Sequence, residues 1–220
     1  MPNFGNFQDD IIESKRIMYK SAPILKELFL QIPDLFYGDI MIYPVEDQPG
    51  RICNHLDKDC GIDYLVVDES NNRTVGLAWR TGRFWKRKHY GSTVYNAFSL
   101  REKRNNKFSK EENCEIVKRR ISKDFDLLRP TYTAQMHYDP DDGDELLSLA
   151  IAKTDDIIEA HDKGFYRLCD KFNQDKEVVM HDVQWEKMKE FGYKVYDWYA
   201  KDKYKGLYEL CVCDQSEEAI

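Results

Sequence analysis

Apolar positions along the chain fall into several short and distinct patterns. From Phe7 to Ile32, residues Ile11, Ile12, Met18, Ile24, Leu25, Leu28 and Phe29 recur at about the helical spacing. They predict one or two helices, with Pro23 as a break or a first-turn residue. Ile40 and Ile42 alternate within Asp39 to Tyr43, between Gly38 and Pro44, which predicts a first strand. A loop holding Pro49 and Gly50 leads to a β-branched, largely apolar run from Asp59 to Val67, closed by the turn residues Asp68 to Asn72. Thr74 to Trp79 reads as the partner strand, so the two segments form a hairpin.

Farther along, Val94 to Arg101 alternates as another strand. Ser109 and Glu112 have the spacing of a capping box for a helix that runs to about Lys123, with Cys114, Val117 and Ile121 turned inward. Thr131 to Tyr138 and Leu146 to Lys153 read as strands joined by the acidic turn Asp139 to Glu145, a solvated turn whose Pro140 and spacing do not fit a calcium loop. Thr154 caps a short helix, Asp155 to Asp162, stopped by Gly164. Asp182 to Phe191 forms a last amphipathic helix ending at Gly192; a short strand follows, and the tail from Asp214 frays. The expectation is a single α/β (α+β) domain over residues 1–220.

Composition supports a folded chain, with 42% hydrophobic and 33% charged residues. The longest apolar runs, Ile24 to Leu30 and Leu147 to Ala152, fall far short of the roughly 20 residues that span a bilayer. Met1 to Asp10 lacks a basic segment followed by an apolar one, so neither membrane insertion nor secretion is expected. No cysteine pair has C-x-x-C spacing. Cys53, His55 and Cys60 lack a second ligand pair, and Cys211 and Cys213 would share one face of a strand; free thiols in a reducing cytoplasm are the simpler reading.

Charge is strongly segregated. The net charge is −7, yet Arg80 to Lys123 carries 14 Lys plus Arg against 4 Glu, a local excess of +10 in an otherwise acidic chain. Such a block is a candidate phosphate-binding surface. Arg83, Lys86, Arg87, Lys88, Arg101, Lys103, Arg104, Lys118, Arg119 and Arg120 are its candidate contacts. Phe84, Trp85, Tyr90, Tyr95, Phe98 and Phe108 are interleaved with them, as base-stacking residues often are. The alternative is that these aromatics are core and the charges a solvated face.

The hairpin holds polar residues at fixed places. Asp63 follows Gly61 and Ile62 near the start of one strand, and Ala78-Trp79-Arg80 lies fifteen residues later on the next. A metal-dependent nuclease needs one strand carboxylate, then a second acid two residues before a lysine on the adjacent strand. The acids hold Mg²⁺ against the scissile phosphate, and spacing by two keeps acid and lysine on one face.

The string Asp59-Cys60-Gly61-Ile62-Asp63, a strand, a turn and a strand ending in Ala78-x-Arg80 resembles the core of the PD-(D/E)XK nuclease superfamily, nearest its Mrr-like branch. The resemblance covers roughly Ile11 to Tyr138 and leaves about 139–220 as a C-terminal extension. It implies a restriction-endonuclease-like architecture, a central mixed β-sheet flanked by helices, acting on nucleic acid, most readily DNA. It further implies Mg²⁺, a homodimer, and a bacterial, phage or mobile-element setting. On it, Asp63 and Arg80 take the catalytic positions, with Asp63 the metal ligand. The chain departs from the pattern twice: Ala78 stands where an acid or glutamine belongs, and Arg80 where the lysine belongs. Arg80 then clamps phosphate, being too basic for proton abstraction. Glu13 on the first helix is the leading relocated second ligand, with Asp57, Asp59 and Glu102 as other choices; otherwise the site is silent. Two functions stay open: a Mg²⁺-dependent endonuclease, or an inactive interaction or inhibitor protein that mimics nucleic acid in phage-host conflict. Tyr132, Gln135 and His137 read as a solvent-facing polar strand face, and His55, His89, His161 and His181 as isolated histidines.

Overall fold

In the computed structural model, described for residues 7–45, 47, 50–83, 96–104, 115–168 and 178–201, two sheets are layered with helices on either side. The chain runs α1 (Phe7–Leu30), β1 (Ile40–Pro44), α2 (Arg51–Lys58), β2 (Tyr64–Asp68), β3 (Arg73–Arg83), β4 (Ala97–Arg104), α3 (Glu115–Asp124), β5 (Tyr132–Asp139), β6 (Glu145–Lys153), α4 (Thr154–Asp162), β7 (Tyr166–Leu168), β8 (Val178–Gln184), α5 (Trp185–Glu190) and β9 (Val195–Tyr199). A six-stranded sheet has the order β1-β2-β3-β5-β6-β9, and β4-β8-β7 form a second, smaller one. Neighbours in the large sheet are antiparallel except β3 and β5, which run parallel. The class is therefore mixed α/β, with a central mixed sheet flanked by helices.

Strand alternation divides the core. Tyr64, Val66, Leu77, Trp79, Ala134, Met136, Tyr138, Leu149 and Ile151 point to one face and pack against Ile17, Met18, Leu25, Leu28 and Phe29 of α1. Phe29 meets Phe36 and Tyr132 edge-on, at centroid distances of 5.7 and 5.6 Å. The other face contributes Ala150 and Ala152 to a second cluster with Phe98, Leu100, Ile116, Ile157, Val183 and Trp185. Phe98 is thus core, not a stacking surface.

Several expected elements differ in extent. The first segment is one continuous helix despite Pro23, and Ser21 Oγ donates to the Met18 carbonyl at 3.1 Å just ahead of the proline. The stretch read as a loop holds α2, an eight-residue helix that buries no residue. In α3 the buried residues are Ile116 and Arg119; Ile121, expected inward, is exposed, and the Ser109–Glu112 box and Cys114 lie outside the described residues. The last amphipathic stretch begins as β8 and becomes helical only at Trp185. The large sheet does not stop at Tyr138: β6 and β9 extend it into the segment expected as an extension. No helix among the described residues is long and apolar enough to cross a membrane.

Gly61 controls how α2 delivers the hairpin. Its φ of +68° is left-handed, its N–H donates to Asp57 at 3.1 Å, and the Ile62 N–H donates to Leu56 at 2.9 Å. The turned chain buries Ile62 over Gly76 and starts the β2 ladder at Asp63, whose N–H donates to Leu77 at 2.9 Å. Gly61→Ala therefore lowers stability by about 1 kcal/mol, seen as a lower urea midpoint with an unchanged slope.

Candidate functional site

Asp63, immediately before β2, and Arg80, on β3, lie on the sheet face opposite α1. Asp63 Oδ2 accepts the Trp79 N–H at 2.7 Å and Arg80 Nη1 at 3.2 Å. Arg80 Nη1 also donates to the Trp79 carbonyl at 2.8 Å, while its Nη2 reaches Glu115 Oε1 on α3 at 2.7 Å. The same Glu115 oxygen accepts Arg119 Nη2 at 2.9 Å and Nε at 3.3 Å, an i,i+4 pair. Two carboxylates and two guanidiniums thus alternate: Asp63, Arg80, Glu115, Arg119.

The electrostatics follow from that order. Burial pushes the Glu115 carboxyl up, but Arg80 and Arg119 outweigh it and hold it at about 2. Asp63 goes the other way: burial raises it above the ordinary carboxylate value, although Arg80 and the Trp79 N–H pull it down. Burial also opposes the Arg80 charge, yet Glu115 and Asp63 keep it above the usual arginine value.

This quartet forms the floor of a cavity of about 300 Å³. Asp57, Lys58, Cys60 and Gly61 at the end of α2 line one side, Arg101 of β4 another, and Lys118, Arg119 and Ser122 of α3 the rest. Lys118 Nζ donates to the Lys58 carbonyl at 2.9 Å and ties α3 to α2. Arg119 is buried, and its Nη1 has no hydrogen-bond partner among the described residues.

Asp63, Arg80, Arg101, Lys118 and Arg119 therefore converge. The other candidates do not. Glu13 lies against α1's face of the sheet, where its carboxylate takes Tyr138 Oη and Arg83, so it is no partner for Asp63 and no second ligand there. Arg83 faces that side because it is three residues from Arg80 on one strand. Arg120 turns away to Asp162 and His161. Lys103 and Arg104 fall on β4; Lys86, Arg87, Lys88, Phe84, Trp85, Tyr90, Tyr95, Phe108 and His89 lie outside the described residues.

Comparison with family models, with curated proteins and with solved structures gives no match to this chain.

The residue missed by sequence reasoning is Glu115. Its signal was present as a Glu-x-x-x-Arg pair, Glu115 and Arg119, inside the basic block. Among the described residues no group of three His, Cys, Asp or Glu side chains is placed to hold a metal ion. Asp63 and Glu115 both hold Arg80, whose guanidinium stands between them, and Ala78, fully buried, offers no side-chain donor. Gln135 and His137 are likewise not solvent-facing: they are buried between the sheets, and burial holds His137 at about 4. His161 and His181, remote in sequence, meet at 2.6 Å and stack with Tyr166.

Glu115→Gln leaves two guanidiniums without their shared counter-charge and destabilises the protein by about 3 kcal/mol, measured by urea unfolding at pH 7. The acid limb distinguishes this from simple packing loss. A carboxyl lowered on folding contributes stability fully above its unfolded value near 4.5, lost as pH falls toward 2. The variant's stability falls less steeply over that window than the wild type's.

Proposed function

We propose that this chain is a nucleic-acid-binding protein that grips backbone phosphate in the cavity above Arg80 without hydrolysing it. The observation that carries the reading is the Arg80 guanidinium lodged between Asp63 and Glu115 under a rim of Arg101 and Lys118. A tethered, permanently charged cation occupies the position at which a nuclease-like hairpin would need an exchangeable one. It attracts and orients phosphate, but neither takes a proton nor ionises water.

The helix ahead of the hairpin, and the helix and strand that follow it, support the resemblance to PD-(D/E)XK nucleases that motivates this reading. The parallel β3/β5 pair supports a mixed sheet of that kind. Free thiols at Cys53 and Cys60 favour a reducing, cytoplasmic setting.

A short labelled DNA duplex, followed by anisotropy in EDTA, tests the reading. Phosphate contacts at this rim make the affinity fall as salt rises. Lys118→Glu weakens binding at least tenfold, and neither Mg²⁺ nor Mn²⁺ produces cleavage of linear, plasmid or single-stranded DNA. Affinity indifferent to salt between 50 and 200 mM, or cutting abolished by Asp63→Ala, overturns it.

A further inference from the structure

We propose that His161 and His181 form a proton-operated latch: neutral, the pair accepts Arg120 and fastens α3 to α4 and the smaller sheet, and on gaining one proton it lets Arg120 go. The inference is independent of what the cavity binds.

The geometry leaves the pair one place for an added proton. His161 Nε2 and His181 Nδ1 lie 2.6 Å apart, with 4.9 Å between ring centroids and 14° between ring planes. The rings therefore meet edge to edge through those two nitrogens, and a single proton sits between them. Tyr166 lies over both, at centroid distances of 4.4 and 4.3 Å, and covers one face of the pair. On the far side of the first ring, Arg120 Nη2 stands 3.3 Å from His161 Nδ1. A guanidinium only donates, so Nδ1 carries no proton, and Nε2 supplies the one that reaches His181. The neutral chain of bonds thus runs from Arg120 through His161 to His181, joining α3, α4 and β8.

A further proton enters at His161 Nδ1, because one placed on His181 Nδ1 would meet the proton already in the bridge. At Nδ1 it turns an acceptor into a donor that faces the Arg120 donor. Asp162 Oδ1, 3.4 Å from the same nitrogen, accepts it instead. One hydrogen bond, from Arg120 to His161, is lost; one, from His161 to Asp162, takes its place; the bridge to His181 is kept. Asp162 also holds Arg120, through Nε at 3.0 Å and through Nη2, so two cations then compete for one carboxylate. The Arg120 side chain is 43% exposed and water can solvate it, whereas that of His161 is 6% exposed and depends on the carboxylate. Arg120 is therefore the one released.

The other charged groups nearby are directed elsewhere. Asp182, next to His181 on β8, accepts Ser99 Oγ at 2.7 Å, and Glu159 on α4 takes Lys163 at 2.7 Å. Across the strand pair from His181 stands the buried, apolar Leu100 of β4. Burial lowers the His161 pKa from its ordinary 6.5, and Asp162 draws it back only in part. A histidine lowered on folding contributes stability fully above 6.5, and that contribution is lost as pH falls. The latch is closed at neutral pH and opens on the acid side.

Long-range proton–nitrogen correlation spectra of the full chain read the tautomers, with His161→Gln and His181→Gln assigning the signals. At pH 7, His161 is expected as the Nε2–H form. Amide exchange, corrected for its intrinsic pH dependence, then reads the latch: protection across Lys118 to Asp124 falls about tenfold between pH 7 and pH 5. His161→Gln presents an amide donor toward His181 and takes up no proton, so its protection there changes less than about twofold over the same range. Arg120→Gln lacks the guanidinium and is already as weakly protected at pH 7 as the wild type is at pH 5. It carries the test should His161→Gln fail to fold. The opposite tautomer, equal wild-type protection at both pH values, or the wild-type acid loss retained in either variant overturns the latch.

Discussion

The guanidinium of Arg80 ties together three parts of the chain that are far apart in sequence. It holds the carboxylate that begins β2, the backbone of its own strand and the first residue of α3. Removing such charges from water is costly, and only their mutual pairing offsets the cost. The alternation of carboxylate and guanidinium leaves the four groups electrically balanced, so none can be lost without exposing another. The same contact fixes register. With Arg80 on the cavity face, Leu77 and Trp79 must enter the α1 core, and a slip of one residue would bury the charge there and expose the indole.

Elements whose pattern is set by one buried face were legible from the sequence. The β2–β3 hairpin, β5, β6 and α4 each carry either alternation or a helical period closed by turn chemistry. The juxtaposition of Asp63 and Arg80 followed from the hairpin geometry alone. Glu115 was less legible, because its place depends on the path of α3 across the sheet, which local spacing does not encode. Glu13 misled for a related reason. Its helix was correctly read, but helix periodicity does not say which side of the sheet the helix will cover. In α3 the expected inward face failed because a charged residue, Arg119, took a core position that periodicity reserves for apolar side chains.

A second region that pattern could not reveal lies between the two sheets. His137 Nδ1 contacts Ser148 Oγ at 3.2 Å, Ser148 donates to Asn96 at 3.1 Å, and Ser99 links Gln135 at 3.3 Å to Asp182 at 2.7 Å. On β5 the alternating polar residues looked like a wet face; they are instead a satisfied seam against the smaller sheet. Gly82 belongs to that seam. A Cβ there would stand 2.6 Å from the His137 ring, so the absence of a side chain on β3 lets the imidazole lie across it. Burial keeps that imidazole neutral, since its pKa of about 4 leaves it uncharged at physiological pH.

On the proposed reading, an arginine where a nuclease-like hairpin would hold a metal alters what the site can do, beyond how tightly it binds. A bound divalent ion contributes in two ways: it neutralises phosphate charge, and it lowers the pKa of a coordinated water. Arginine retains the first capacity and lacks the second, because its donors polarise an anion without coordinating water as a Lewis acid. Nor does it leave with product or depend on cation supply, since it is covalently part of β3. The nearest carboxylates, which would otherwise orient a nucleophile, are occupied in holding it. Asp63 retains a raised pKa from burial, but a carboxyl that also accepts the Trp79 N–H and Arg80 is held as a structural acceptor. On the proposed reading the arrangement favours recognition over turnover, because the carboxylates that flank Arg80 hold its guanidinium.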